Sequence, residues 1–188
     1  MQIIQIRGGN ATGKTTTVRQ FVNKHNLKIE EIIVNGQKTY ISTNNKDIVV
    51  LGRYDKLNGG CDLFEGREHV TQTIIYIIKT MRPKTIIFEG FIYGLSYKFG
   101  CDVQKLAQIF GYEYLAITLI RDENNGLNIL YKRNGAVNIN EKNFLSKYKA
   151  SISAHKKLKN SGIKALMVNT DNVQEKEMYK IIENNMEK

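Results

Sequence analysis

The residues best able to do chemistry stand near the start of the chain. Gly8-Gly9-Asn10-Ala11-Thr12-Gly13-Lys14-Thr15 satisfies the spacing G-x-x-x-x-G-K-[ST]. Gly8, Gly9 and Gly13 let a backbone wrap closely around phosphate oxygens. The free amides at the start of a following helix, together with its dipole, attract anions. In such a loop the Lys14 ammonium would bridge the β- and γ-phosphates of a nucleotide, and the Thr15 hydroxyl would ligate magnesium. The cradling set is Gly8, Gly9, Asn10, Ala11, Thr12, Gly13, Lys14, Thr15 and Thr16.

A second group lies far along the chain, in Ile86-Ile87-Phe88-Glu89-Gly90. A carboxylate at the C-terminal edge of a strand faces the metal shell of a bound nucleotide, which assigns Glu89 to magnesium beside Thr15. A third group is Gly52-Arg53-Tyr54-Asp55 followed by Gly59-Gly60-Cys61-Asp62. Asp62 or Asp55 is suited to take a proton from an attacking hydroxyl, and either is equally suited to cap a helix. Gly59 and Gly60 would allow a backbone to approach a ligand or simply make a tight turn. Tyr54, Phe64, Phe91 and Tyr93 could stack an acceptor base, although aromatics beside strands are usually core.

These groups need elements to hold them. Short runs rich in Ile and Val occur at 2–7, 47–51, 85–88, 115–120 and 164–169. They suit strands buried on both faces of a parallel sheet. Helical patterns fill the intervals at 14–25, 65–81, 102–110, 124–132, 141–159 and 173–185. The alternation implies a doubly wound α/β sandwich with right-handed crossovers. Asn35-Gly36 suits a type I′ turn between the runs 31–34 and 38–42, which reads as a surface hairpin inserted at about 31–43. Pro83, the only proline, stops a helix just before the third strand.

At 188 residues the chain is near the usual domain size, and no second domain is needed. No leader-like segment opens it and no apolar run reaches membrane length, so a soluble, cytoplasmic protein is expected. Cys61 and Cys101 form no CxxC pair and are expected to be reduced thiols. The chain carries 28 Lys+Arg against 18 Asp+Glu, a net charge of +10, which favours partners bearing phosphates. Residues 141–160 hold Lys142, Lys147, Lys149, Lys156, Lys157 and Lys159 against the single acid Glu141. Such a run either follows a phosphate backbone or is the solvated face of a lysine-rich helix.

The base-reading N/T-K-x-D of a GTPase is absent from the sequence, and helicases and transporter ATPases are longer. Arg121, Asp122 and the stretch to Lys132-Arg133 resemble the lid of small-molecule and nucleotide kinases, where Arg133 would reach the transferring phosphoryl group. Along nearly its whole length the chain resembles the nucleotide-kinase group of P-loop phosphotransferases. That resemblance implies a P-loop NTPase three-layer sandwich, with a parallel five-stranded sheet in the order 2-3-1-4-5 and an acceptor pocket opposite the loop. Gly52-Arg53-Tyr54 with Gly59-Gly60-Cys61-Asp62 and Phe88-Glu89-Gly90 is similar to the bacteriophage kinases that phosphorylate 5-hydroxymethyluracil in DNA. The likeness implies ATP and Mg2+ as cofactors and a DNA acceptor, with Arg53, Tyr54, Gly59, Gly60, Asp62, Glu89 and Tyr93 on the acceptor side. A kinase for free deoxynucleosides or deoxynucleotides and a non-catalytic nucleotide-binding module are the alternatives.

Overall fold

The computed structural model describes residues 1–44, 47–55, 60–133 and 139–187, the side chains of Asp62, Phe91 and Ile92 excepted. Its frame is one sheet built from β1 (Gln2–Gly8), β2 (Lys28–Val34), β3 (Gln37–Asn44), β4 (Ile48–Leu51), β5 (Thr85–Glu89), β6 (Glu113–Ile120) and β7 (Ala165–Asn169). Along the sheet the order is β2-β3-β4-β5-β1-β6-β7. The stretch from β4 to β7 is parallel throughout, with Ile3 level with both Ile86 and Tyr114.

The sheet is seven-stranded and mixed rather than five-stranded and parallel. The hairpin expected to lie on the surface instead continues the sheet, because β3 pairs antiparallel with β4 through Ile41 and Leu51. Asn35 and Gly36 make the two-residue turn with φ of 50° and 79°, the left-handed pair that matches the twist of adjoining strands.

Helices cover both faces. On one face α2 (Arg67–Thr80), α4 (Tyr97–Ile109) and α6 (Glu141–Asn160) bury Val70, Ile74, Phe99, Val103 and Leu158 against Ile3, Ile86 and Phe88. On the other, α1 (Lys14–Lys24) and α7 (Lys180–Glu183) bury Val18, Phe21 and Ile182 against Ile4, Ile87, Leu115 and Leu119. Successive strand residues thus point to opposite layers, and both layers are apolar.

Three helix boundaries differ from the sequence pattern. A short α3 (Phe91–Gly94) follows Gly90, and α4 starts five residues before 102, where the Ser96 hydroxyl accepts the Phe99 amide at 3.2 Å. The helix expected over 173–185 is one 3-10 turn (Glu175–Glu177) and the single turn of α7, because Val173 is extended (φ −113°, ψ 128°). Asp122 caps α5 (Glu123–Arg133), accepting the amides of Asn124 and Asn125 at 3.0 and 3.2 Å.

Candidate phosphate-loop site

The loop between β1 and α1 opens at Gly8, whose φ is 139°. An added Cβ would lie 2.4 Å from the Leu119 carbonyl oxygen of the neighbouring strand, so only glycine leaves the sheet here. The chain then turns through Ala11 (φ 58°) to Gly13, which precedes the helix without any side-chain cap. The first amides of α1 therefore face the loop. Thr12 Oγ1 donates to the Gly9 carbonyl at 3.0 Å, and the Lys14 ammonium donates to the same oxygen at 2.8 Å. The lysine charge thus lies over the loop rather than in bulk solvent; Lys14 is 8% exposed.

The structure brings the two sequence-assigned metal ligands together. Thr15 Oγ1 donates to Glu89 Oε1 at 3.0 Å, across 74 residues of chain. β1 and β5 are register neighbours with Ile6 beside Glu89, so the parallel pairing sets this contact. Glu89 is fully buried. A hydroxyl and a carboxylate are hard oxygen donors, the set magnesium takes when phosphates and water complete the octahedron. Among the described residues no group of three or more His, Cys, Asp or Glu could hold a metal ion by itself.

The segment after β4 packs straight onto this carboxylate. Gly60 has φ 71°, and a Cβ on it would lie 2.4 Å from Glu89 Oε1 and 3.0 Å from the Tyr54 hydroxyl. Its close approach is to Glu89 and to the Gly52 backbone, rather than to an open space. Asp62 follows in the 3-10 turn Gly60–Leu63, and α2 begins later, at Arg67, with Gly66 as its cap residue. Gly59 lies outside the described residues.

Several acceptor-side assignments meet different surroundings. Tyr54 is 2% and Tyr93 3% exposed, one in each core layer, so neither ring offers a face for stacking. Asp55 is held in the fork of Arg53, with Nε to Oδ1 at 2.8 Å and Nη2 to Oδ2 at 2.5 Å. The guanidinium in turn lies 4.9 Å from the Tyr40 ring centroid on β3. Both Asp55 oxygens are engaged by one cation, which makes this carboxylate a poor proton acceptor. Arg133 sits exposed in the last turn of α5, beside residues 134–138, which lie outside the described set.

The arginine that does touch the loop is Arg121. Its Nη1 donates to the Ala11 carbonyl at 3.3 Å, and its Nε pairs with Asp171 at 3.2 Å. Sequence reasoning noted Arg121 only as part of a lid, because its position depends on β6 lying next to β1. α6 reaches the loop as well: a Cβ on Gly9 would be 3.5 Å from the Tyr148 Cα. Burial pushes the Tyr148 phenol up, aided by the carboxylates of Glu123, Asp122 and Asp171. Further along α6, His155 is buried, with Nδ1 3.2 Å from Thr118 Oγ1. Burial holds its imidazole below the ordinary value, and the charges of Lys159 and Arg7 lower it further.

Lys142, Lys149, Lys156, Lys157 and Lys159 are exposed on α6, and Lys147 is half-buried. Lys149, Lys156 and Lys157 share one shallow surface depression with Ile152, Ser153 and Asn160. No helix among the described residues is long and apolar enough to cross a membrane. Comparison with protein-family models and with characterised proteins returns no match to this chain.

Proposed function

We propose that this chain is a P-loop kinase that moves the γ-phosphoryl group of ATP to the hydroxymethyl group of 5-hydroxymethyluracil in DNA. The observation that carries the phosphotransfer reading is the Thr15–Glu89 contact, which joins the hydroxyl of a phosphate-binding loop to a strand-end carboxylate. Loop amides and Lys14 would hold the β- and γ-phosphates, and Thr15 with Glu89 would hold Mg2+, which supplies charge neutralisation at the phosphates. Asp62 would accept the proton of the acceptor hydroxyl as its oxygen bonds to the γ-phosphorus. The bond to the bridging oxygen then breaks and ADP leaves. Arg121 steadies the loop through Ala11.

The polymer acceptor is supported by the exposed lysines of α6, the same helix that packs on the loop at Gly9. A free deoxynucleoside or deoxynucleotide is the second reading, in which the exposed lysines of α6 are only a solvated face. The test offers labelled ATP with free nucleosides, free nucleotides, ordinary DNA and hydroxymethylated DNA in parallel, with Lys14→Ala as the control. Label on hydroxymethylated DNA alone supports the first reading, and label on free nucleotides supports the second. Full transfer by a folded Lys14→Ala protein, or no transfer to any acceptor by the unaltered protein, removes both.

A further inference from the structure

The β2–β3 hairpin grips the segment that carries Asp62 through a closed ring of hydrogen bonds. His69, in the first turn of α2, has Nε2 2.7 Å from the Thr39 hydroxyl on β3, and its Nδ1 accepts the Glu65 amide at 3.3 Å. An amide can only donate, so Nδ1 must be the unprotonated nitrogen and Nε2 carries the hydrogen toward Thr39. Thr39 passes its own proton toward the Gln37 carbonyl at 3.5 Å, and the Gln37 side-chain amide donates to the Glu65 carboxylate, closing the ring. Thr39 is 3% exposed and His69 half-buried, whereas Glu65 is open to solvent, so the 2.7 Å Thr39–His69 bond is the better shielded member.

The grip extends to both sides of β3. The Phe64 ring lies 4.8 Å from the His69 ring, and the Tyr93 hydroxyl donates to the Phe64 carbonyl at 3.5 Å. From the opposite side of the strand Tyr40 stacks on Arg53, and the Tyr40 carbonyl accepts the Gly52 amide at 2.8 Å. The segment 60–66 is thus fixed at one end by Glu89 against Gly60 and at the other by His69 against Glu65. Asp62 lies between these anchors.

We infer that the hairpin is the acceptor-specifying wall of the site, with Thr39 and His69 as positioning residues that hold the 60–66 segment for the acceptor. This inference rests on the kinase reading above. It assigns a task to the two strands added beyond the parallel part of the sheet, and that task concerns acceptor binding rather than ATP.

The experiment uses Thr39→Val, which keeps the side-chain shape, together with His69→Leu, His69→Gln and the Thr39→Val/His69→Leu double variant of the whole chain. Three readouts are taken: hydrogen exchange at the Glu65 amide, the KM for acceptor and for ATP, and the melting temperature. Either bond-breaking variant should speed Glu65 exchange and raise the acceptor KM about fivefold, the scale of one hydrogen bond, with the ATP KM unchanged. The double variant should be no worse than the worse single one, since both remove the same bond. His69→Gln, whose side-chain amide can still donate to Thr39, should recover most of the acceptor affinity. An acceptor KM that stays put while melting temperature drops, or effects that add, would overturn the inference. Should the unaltered protein phosphorylate none of the acceptors, the kinase reading and the acceptor role both fall. Unchanged Glu65 exchange in active variants removes the inference alone.

Discussion

Gly60 rests its backbone on the Glu89 carboxylate so closely that a single added carbon would sit 2.4 Å from Oε1. The same oxygen accepts the Thr15 hydroxyl, so the glycine-rich loop, the strand-end carboxylate and the segment after β4 meet at one atom. Gly60→Ala would both strain a φ of 71° and push against Glu89. The expected cost is about 1–3 kcal/mol of stability. Turnover should fall further than stability accounts for, because Glu89 must move. Denaturant midpoints and turnover on the same preparations check this, and equal activity per folded molecule would count against the shared geometry.

Glu89→Gln keeps an oxygen for the Thr15 hydroxyl but removes the charge. Magnesium-dependent turnover should therefore drop by at least about a hundredfold, the scale of losing one well-placed electrostatic group. Nucleotide binding without metal should change far less. Titrations of nucleotide with and without magnesium, beside the rate, separate the two. Equal losses in both would assign Glu89 a purely structural part.

The two acidic candidates on the acceptor side should behave differently. Asp62→Asn is expected to lower the rate at saturating substrate about a hundredfold, the usual general-base contribution. Asp55→Asn should leave that rate nearly intact and alter the acceptor KM instead, because its carboxylate is committed to the Arg53 fork. Steady-state kinetics over a range of acceptor concentrations decides. A large rate loss in Asp55→Asn alone would reverse the assignment.

The loop and the parallel strands could be read from sequence because local signals set them. Gly8 to Thr15 must wrap, and fully apolar runs such as Ile86 to Phe88 must be buried on both sides. Glu89 could be placed from its position at a strand end for the same reason. The hairpin's place in the sheet was hidden, since nothing near Asn35-Gly36 says that Ile41 pairs with Leu51. Arg121 and His69 were hidden too: their partners Ala11 and Thr39 lie 110 and 30 residues away, and only the fold joins them. Tyr54 and Tyr93 look alike as aromatics near a site, yet packing, which spacing does not encode, buries both.

His155 gives the fold a pH dependence with a definite sign. Burial depresses its folded-state pKa below the ordinary 6.5, so the unfolded chain takes up a proton first as pH falls. The stability tied to the neutral imidazole is complete above the unfolded value and is lost as pH drops through it toward the folded one. Between about pH 7.5 and pH 5.5, the span over which an imidazole titrates, urea midpoints should fall more steeply for the unaltered protein than for His155→Gln. Parallel curves would show that the buried imidazole is not the group responsible.

The lysine face of α6 makes the boldest expectation, because it concerns a polymer. If Lys149, Lys156 and Lys157 follow a DNA backbone, each neutralised phosphate releases a condensed counterion, and affinity for DNA must fall steeply with salt. ATP affinity should change far less, since on the proposed reading its phosphates would be held by loop amides and by Lys14, which is 8% exposed. Replacing all three lysines with Gln should flatten the logarithmic salt slope by up to about three units, with the melting temperature little changed because the side chains are exposed. Fluorescence anisotropy of labelled hydroxymethylated DNA at several salt concentrations measures the slope directly. A slope that does not move would make this face merely solvated. The acceptor would then be sought among free deoxynucleosides and deoxynucleotides.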